Sequence, residues 1–149
     1  MNKQTQNILN ISLTLVAIYL YSFTANNIET EILGFNSFKF LITIAVLIQF
    51  LIFLPSFIFK SEKFYDLTGS LTYISVTSIA YFSLDNPTTT DTILFLYVII
   101  WAGRLGIFLF RRINKDGKDE RFDKAKKKFF WFLQYWMGQA AWVVFTAGA

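Results

Sequence analysis

The sequence predicts an all-α fold: a polytopic integral membrane bundle of about five transmembrane helices. First, 54% of its 149 residues are hydrophobic, and 18 are Phe, a load that soluble domains rarely carry. Second, five apolar segments each approach the roughly 20 residues that a helix needs to span a bilayer. Third, the segments lack the alternation of strands, and backbone groups in lipid must be hydrogen-bonded internally. A single transmembrane domain over residues 1–149 is expected.

The five segments follow one another through short polar loops. The first has only Lys3 as a basic region and a poor cleavage site, so we interpret it as a retained helix rather than a signal peptide. The predicted spans are Ile8–Ala25, Phe38–Phe59, Leu67–Leu84, Thr92–Ile113 and a fifth that begins near Phe129 and runs into the C-terminus.

The distribution of Lys and Arg predicts the orientation in the membrane. Lys3 precedes the first span, Lys60 and Lys63 lie in the second loop, and residues 111–128 of the fourth loop hold nine Lys and Arg with four Asp and Glu. The first loop is acidic and the third has no basic residue. Since basic loops remain in the cytoplasm, the N-terminus and the second and fourth loops are predicted to be cytoplasmic.

The chain has no Cys and no His. A thiolate metal site, a Cys nucleophile and an imidazole base are therefore excluded within it, and no metal site is expected. Any acid–base chemistry must use Asp, Glu, Tyr, Lys or a bound cofactor. No nucleic-acid-binding motif accompanies the basic loop, so nucleic acid is not an expected partner. Anionic lipid and a phosphate-bearing ligand both stay open as its partners.

Arg104 lies in an otherwise uncharged stretch, seven residues before Arg111, or about 10 Å below the predicted membrane boundary. Two interpretations are open: a snorkelling anchor, or a charge that faces a polar cavity or an anionic partner. Small residues nearby, Ala102, Gly103 and Gly106, predict the close approach of another helix. The helical period places Arg104 on one face with Tyr97, Trp101, Phe108 and Arg111.

The third segment carries a polar face that favours the cavity interpretation. Asp66 begins this face at the predicted cytoplasmic mouth, so we expect Arg104 to point into the bundle and pair with it. Interhelical hydrogen bonding by hydroxyls is the alternative explanation. In the fifth segment Gln134 and Gln139 lie about 140° apart, which predicts that they do not face one cavity. The polar face comprises Asp66, Ser70, Tyr73, Thr77 and Tyr81.

Four motifs in order carry a family resemblance: "KFYDLTGSLTYI", "WAGRLGIFLFRR", "GKDERFD" and "FFWFLQYWMGQAAWVV". Their series resembles the steroid 5-alpha-reductase-like membrane proteins, in particular the bacterial branch called domain of unknown function 1295 (DUF1295). The resemblance covers about Phe64 to Val144. No single motif is decisive, but their order is fairly specific in combination.

The resemblance implies an NADPH-dependent oxidoreductase that reduces a carbon–carbon double bond in a steroid- or lipid-like substrate. It implies a fold of about seven spans in the bacterial inner membrane, of which this chain is the N-terminal part, so a second polypeptide carrying the missing helices is a possible partner. The alternative function is a non-catalytic small membrane subunit or a transporter-like bundle.

The resemblance also implies site residues, although it assigns no catalytic residue. Its basic loop places Arg111, Arg112, Asp119 and Arg121 near the cofactor. The predicted substrate cavity combines the residues that match the family with two from the polar face of the third segment: Trp101, Arg104, Gln139, Trp142, Asp66 and Tyr73.

Overall fold

The computed structural model describes residues 2–25 and 30–148, and within them it forms five α-helices. A two-stranded antiparallel hairpin, β1 (Glu31–Ile32) and β2 (Phe35–Asn36), and three short 3-10 turns complete the described part. The all-α membrane bundle is therefore confirmed. The helices are α1 (Lys3–Tyr21), α2 (Ser37–Ile58), α3 (Tyr65–Phe82), α4 (Thr89–Asp116) and α5 (Phe129–Ala147).

Local capping sets the ends of α4, the longest helix. Thr88 accepts a hydrogen bond from the backbone N–H of Asp91, and the Asp91 carboxylate accepts one from the backbone N–H of Thr88, which forms a capping box. At the other end Gly117 adopts a left-handed conformation with φ of 77°, which suits glycine and stops the helix. The cap and the glycine extend α4 beyond both predicted boundaries.

The helices pack around α3 and α5. α3 contacts α2, α4 and α5, whereas α5 contacts α1, α2 and α3. The N-terminal ends of α1 and α5 lie together, because Lys3 Nζ is 5.7 Å from the ring centroid of Trp131. Their other ends also meet, with the Tyr21 and Phe145 ring centroids 5.1 Å apart. These parallel helices place the basic loops at one end of the bundle, as the alternation of Lys and Arg predicts.

Three helical segments are long and apolar enough to cross a membrane: Lys3–Ala25, Ser37–Ile58 and Thr89–Asp116. α3 and α5 form where spans were predicted but do not meet that criterion. They are the inner helices, and α3 buries Thr68, Ser70 and Thr72. These hydroxyl groups are tolerated there because each donates to the backbone carbonyl four residues earlier in the chain. Thr72 Oγ1 also accepts a hydrogen bond from Gln49 Nε2 of α2 over 3.0 Å.

The topology predicts that the two ends of α4 differ in their access to reagents. Asn86 and Lys118 are exposed residues in the loops before and after α4. We expect a membrane-impermeant thiol reagent to label a cysteine at position 86 from outside intact cells, and one at position 118 only after permeabilisation. The natural chain, which has no Cys, is the control. The reverse labelling would invert the orientation, and labelling of both from one side would contradict the fold.

Candidate functional site

One face of α3 lies open between α4 and α5, and three neighbouring cavities follow it from one end of the bundle to the other. We name them the charged cleft, about 600 Å³, the glutamine cavity, about 470 Å³, and the aromatic groove, about 640 Å³. Asp66 lines the first, Tyr65 the second and Tyr73 the third. The lining of this face therefore changes from charged at one end of the bundle to mostly apolar toward the other.

The charged cleft contains two Asp–Arg pairs. Arg112 donates from its terminal nitrogen to Asp66 over 3.3 Å. Arg121 binds the Asp119 carboxylate through more than one nitrogen, with Nε 2.9 Å from Oδ2. Three of the predicted cofactor residues are thus adjacent here. Arg111 does not line the cleft, and its assignment to a cofactor stays a prediction.

The pairing leaves the charged cleft without an excess of positive charge. Hydrogen bonds from Arg121 hold the pKa of Asp119 below its usual range, and the same contact raises the pKa of Arg121. An anion that enters the cleft must therefore compete with carboxylates that already occupy the guanidinium groups. The charged lining comprises four acidic residues, Asp66, Asp116, Asp119 and Glu120, and three basic ones, Arg112, Lys118 and Arg121.

Glu62 holds the basic loop in place, a role that sequence analysis missed. Its carboxylate accepts from the Asp119 backbone N–H over 3.0 Å and from Lys126 Nζ over 2.7 Å, and its side chain is only 4% exposed. Burial disfavours the charged form of Lys126, but the Glu62 and Asp123 carboxylates outweigh it and raise the Lys126 pKa. In "KSEKFYD" a Glu between two Lys resembles any solvated loop residue, so no local signal indicated this role.

Phe122 provides the apolar anchor of the same loop. It is 1% exposed, and its ring centroid lies 4.8 Å from that of Tyr65 and 5.0 Å from that of Tyr135. Tyr65 in turn donates from its hydroxyl to the Tyr135 backbone carbonyl over 3.0 Å. The loop therefore packs against α3 and α5, and this packing positions Asp119 and Arg121 in the charged cleft.

The structure contradicts the expected orientation of Arg104. Ala102 and Gly106 are buried residues of α4, whereas Arg104 is exposed. Arg104 stands two residues from each of them, and two residues turn a helix by about 200°, so its side chain points away from the packed face. It lines none of the three cavities and makes no ion pair within residues 2–25 and 30–148.

The expected Asp66–Arg104 pair is therefore wrong, and Arg112 takes its place. Arg112 lies eight residues beyond Arg104, about 12 Å further along α4, at the level where α3 begins.

The predicted close approach of another helix to α4 is confirmed at Gly106, where an added Cβ would lie 2.8 Å from Ser70 Cβ. At Gly103 it is wrong, because such a Cβ would meet nothing within 4 Å.

The two glutamines of α5 also differ from the prediction, because Gln134 and Gln139 both line the glutamine cavity. The cavity extends along α5 from Trp131 to Trp142. It is therefore wide enough to include side chains that lie about 140° apart around the helix. The Oε1 atoms of both glutamines are buried and have no hydrogen-bond partner within the described residues. Gln139 also lies against Gly69 of α3, whose added Cβ would be 2.5 Å from Gln139 Nε2.

The aromatic groove brings together three of the predicted substrate-cavity residues: Tyr73, Trp101 and Trp142. The Tyr73 and Trp101 rings meet edge to face with centroids 5.0 Å apart, and the Tyr73 hydroxyl is hydrogen-bonded to that of Thr146. Trp142 is 66% exposed and also lines the glutamine cavity, so it joins the two spaces. Gln139 and Asp66 lie in the neighbouring cavities, and none of these cavities includes Arg104.

Comparison with protein-family models assigns most of the chain to a family. A protein-family model described as "Protein of unknown function (DUF1295)" matches residues 52–149, about two thirds of the chain. No curated protein and no solved structure matches the chain.

Proposed function

Since the chain belongs to the DUF1295 family of proteins of unknown function, and its motifs resemble those of steroid 5-alpha-reductase-like membrane proteins, we propose that it forms part of a membrane reductase. The reaction is the NADPH-dependent reduction of a carbon–carbon double bond in a steroid- or lipid-like substrate. A bound nicotinamide would supply a hydride to this bond and so be oxidised, and a proton would complete the saturated product.

One observation carries the proposal: the polar and apolar cavities lie along a single face of α3. The charged cleft offers two arginines at the end that holds the basic loops. The aromatic groove offers Tyr73, Trp101 and Trp142 further along the same face. A phosphate-bearing cofactor suits the first environment because guanidinium groups bind phosphate bidentately, and an apolar acceptor suits the second.

The roles of this chain's residues are binding and orientation. Arg112 and Arg121 would bind the cofactor's phosphates, and Trp101 with Tyr73 would hold the flat apolar part of the substrate. Hydride chemistry is supplied by the nicotinamide when it is bound. Asp119 would leave Arg121 as a phosphate arrives, because one guanidinium fork cannot serve both anions fully. A second polypeptide that supplies further helices would complete the site.

One observation favours the alternative of a non-catalytic membrane subunit. The charged lining of the cleft holds four acidic and three basic residues, and both arginines already have carboxylate partners. In that case the Asp66–Arg112 pair joins α3 to α4, the Asp119–Arg121 pair stabilises the loop internally, and neither has a ligand. Cofactor binding separates the two functions.

The test compares NADPH and NADH binding to the purified chain, with and without a polypeptide encoded by an adjacent reading frame. We expect Arg112→Ala and Arg121→Ala to weaken NADPH binding about 10- to 100-fold, since a hydrogen bond to a charged group contributes about 1.5–3 kcal/mol. NADH should lose less, because it lacks the extra phosphate. Lys124→Ala, an exposed lysine of the same loop, is the control. No binding of either cofactor, with or without that polypeptide, would favour the non-catalytic subunit.

Asp119→Asn tests the exchange of carboxylate for phosphate. The carboxylate also accepts from the Arg121 backbone N–H over 3.0 Å, and an Asn side-chain oxygen can keep that contact while removing the charge. We expect NADPH to bind about tenfold more tightly, because phosphate no longer competes with an anion. Asp123→Asn removes a carboxylate that pairs with Lys118 and Lys126 and serves as the control. Weaker binding by Asp119→Asn would contradict the exchange.

A further inference from the structure

A second binding surface lies on the other side of the bundle, between α1 and α2. These helices border a surface groove of about 480 Å³. Apolar side chains form most of its walls, including Leu15 and Ile18 from α1 and Ile42 and Leu47 from α2. None of its lining residues lines the charged cleft, the glutamine cavity or the aromatic groove. We name it the α1–α2 groove.

A single cation stands at the mouth of the α1–α2 groove. Lys39 lies in the first turn of α2, is exposed, and has its Nζ 5.2 Å from the Phe23 ring centroid. It makes no ion pair within the described residues. In the described loops and helix ends at this end of the bundle, Lys39 is the one basic residue; the basic loops lie at the opposite end. Its charge is therefore available to an external anion.

The groove extends from the membrane boundary, where lipid headgroups lie, into the region of the acyl chains. α2 has 22 residues, about 33 Å, so its first turn lies at a membrane boundary. Leu47 is eight residues further along α2, about 12 Å deeper. The α1–α2 groove therefore begins where phosphates lie and continues into the hydrocarbon region.

The two aliphatic hydroxyl groups in the groove, those of Thr43 and Ser22, already have hydrogen-bond partners. Thr43 Oγ1 donates to the Lys39 backbone carbonyl over 2.8 Å, and Ser22 Oγ donates to the Tyr19 carbonyl over 2.6 Å. The walls of the groove are therefore mostly apolar, and the Lys39 ammonium is the charged group at its mouth. A peptide occupant would leave its backbone groups unpaired in such a groove, at a cost that an acyl chain does not incur.

We propose that the α1–α2 groove binds one phospholipid, with the phosphate on Lys39 and an acyl chain between α1 and α2. Charge complementarity identifies this occupant, because a phospholipid joins one anion to an apolar chain in the order that the groove presents. The bound lipid would fill the space between two helices that make few contacts with each other. This site is independent of the proposed reductase function.

Native mass spectrometry of the purified chain with phosphatidylglycerol tests the proposal. We expect the natural chain to retain one lipid about fivefold more strongly than Lys39→Gln, since one lysine near a membrane surface contributes about 1 kcal/mol. Thr43→Trp should also lower retention, because it fills the groove from an exposed position whose hydroxyl bonds only to its own helix. Lys63→Gln changes an exposed lysine at the opposite end and should retain lipid as the natural chain does.

Diacylglycerol, which has the chains without the phosphate, provides the second arm of the experiment. Its retention should be equal in the natural chain and in Lys39→Gln, and it should still fall in Thr43→Trp. Equal phosphatidylglycerol retention by all four proteins would overturn the site. A loss of diacylglycerol in Lys39→Gln as large as that of phosphatidylglycerol would overturn the phosphate contact.

Discussion

Glu62→Ala should destabilise the folded chain by up to about 3–5 kcal/mol, because it removes the closer of the two carboxylates that pair with the largely buried Lys126 and leaves only Asp123 at 3.5 Å. The Glu62 side chain is 4% exposed and that of Lys126 is 18% exposed, so little solvent screens the loss. The same change also removes the acceptor of the Asp119 backbone N–H. The measurement is the midpoint and free energy of unfolding in detergent, followed by circular dichroism.

Two further variants separate this pair from ordinary surface charge. Lys118→Ala removes a mostly exposed lysine whose partners are Glu120 and Asp123, and it should change stability by less than about 1 kcal/mol. The double change Glu62→Gln with Lys126→Met should recover much of the loss, because neither charge then remains buried alone. If Glu62→Ala costs no more than Lys118→Ala, Glu62 does not hold the loop.

Gly106→Ala should destabilise the bundle by about 1–3 kcal/mol through overpacking. The added methyl group would lie 2.8 Å from Ser70 Cβ and 2.9 Å from Ser70 Oγ, so α3 and α4 must separate. Gly103 is a matched control on the same helix, because a Cβ there would meet nothing within 4 Å. Gly103→Ala should stabilise by about 0.5–1 kcal/mol, since alanine favours the helical state. Unfolding midpoints of the two variants give the comparison.

Ser70→Gly tests whether the contact itself causes the loss. Combined with Gly106→Ala, it moves the small residue from α4 to α3 and should restore part of the stability, although a glycine inside α3 has its own cost of about 1 kcal/mol. Equal behaviour of Gly106→Ala and Gly103→Ala would contradict the close packing of α3 on α4.

The sequence predicted the helices well because each apolar segment is bounded by polar residues that cannot enter lipid. The boundaries differ most in α1, which begins at Lys3 instead of Ile8 and ends at Tyr21 instead of Ala25. α4 begins at Thr89 instead of Thr92 and ends at Asp116 instead of Ile113. These ends depend on the Thr88–Asp91 capping box and on the left-handed Gly117. Both are local contacts that override the hydropathy boundary. α3 and α5 were recognisable as helices, but their inner position depends on tertiary packing.

The site was less predictable because its contacts join residues far apart in the chain. The helical period grouped Arg104 with Trp101 on one face of α4, and both residues are exposed in the structure. The period alone does not tell which face of a helix packs against its neighbours. Ala102 and Gly106 carried that information, since small residues mark the packed side and Arg104 lies opposite. Glu62 gave no such signal, because its burial arises from a loop that begins more than fifty residues later.

The proximity of α1 to α5 has a consequence for biogenesis. The N-terminal end of α1 meets α5 at Trp131, 128 positions after Lys3. A ribosome that adds about 5–20 residues per second needs roughly 6 to 25 seconds to make the intervening chain. During that interval α1 is inserted without its principal neighbour, and its inward face, which includes Ile11 and Ile18, stays in contact with lipid or with the insertion machinery. α1 therefore reaches its packed position beside α5 only after α5 has been inserted.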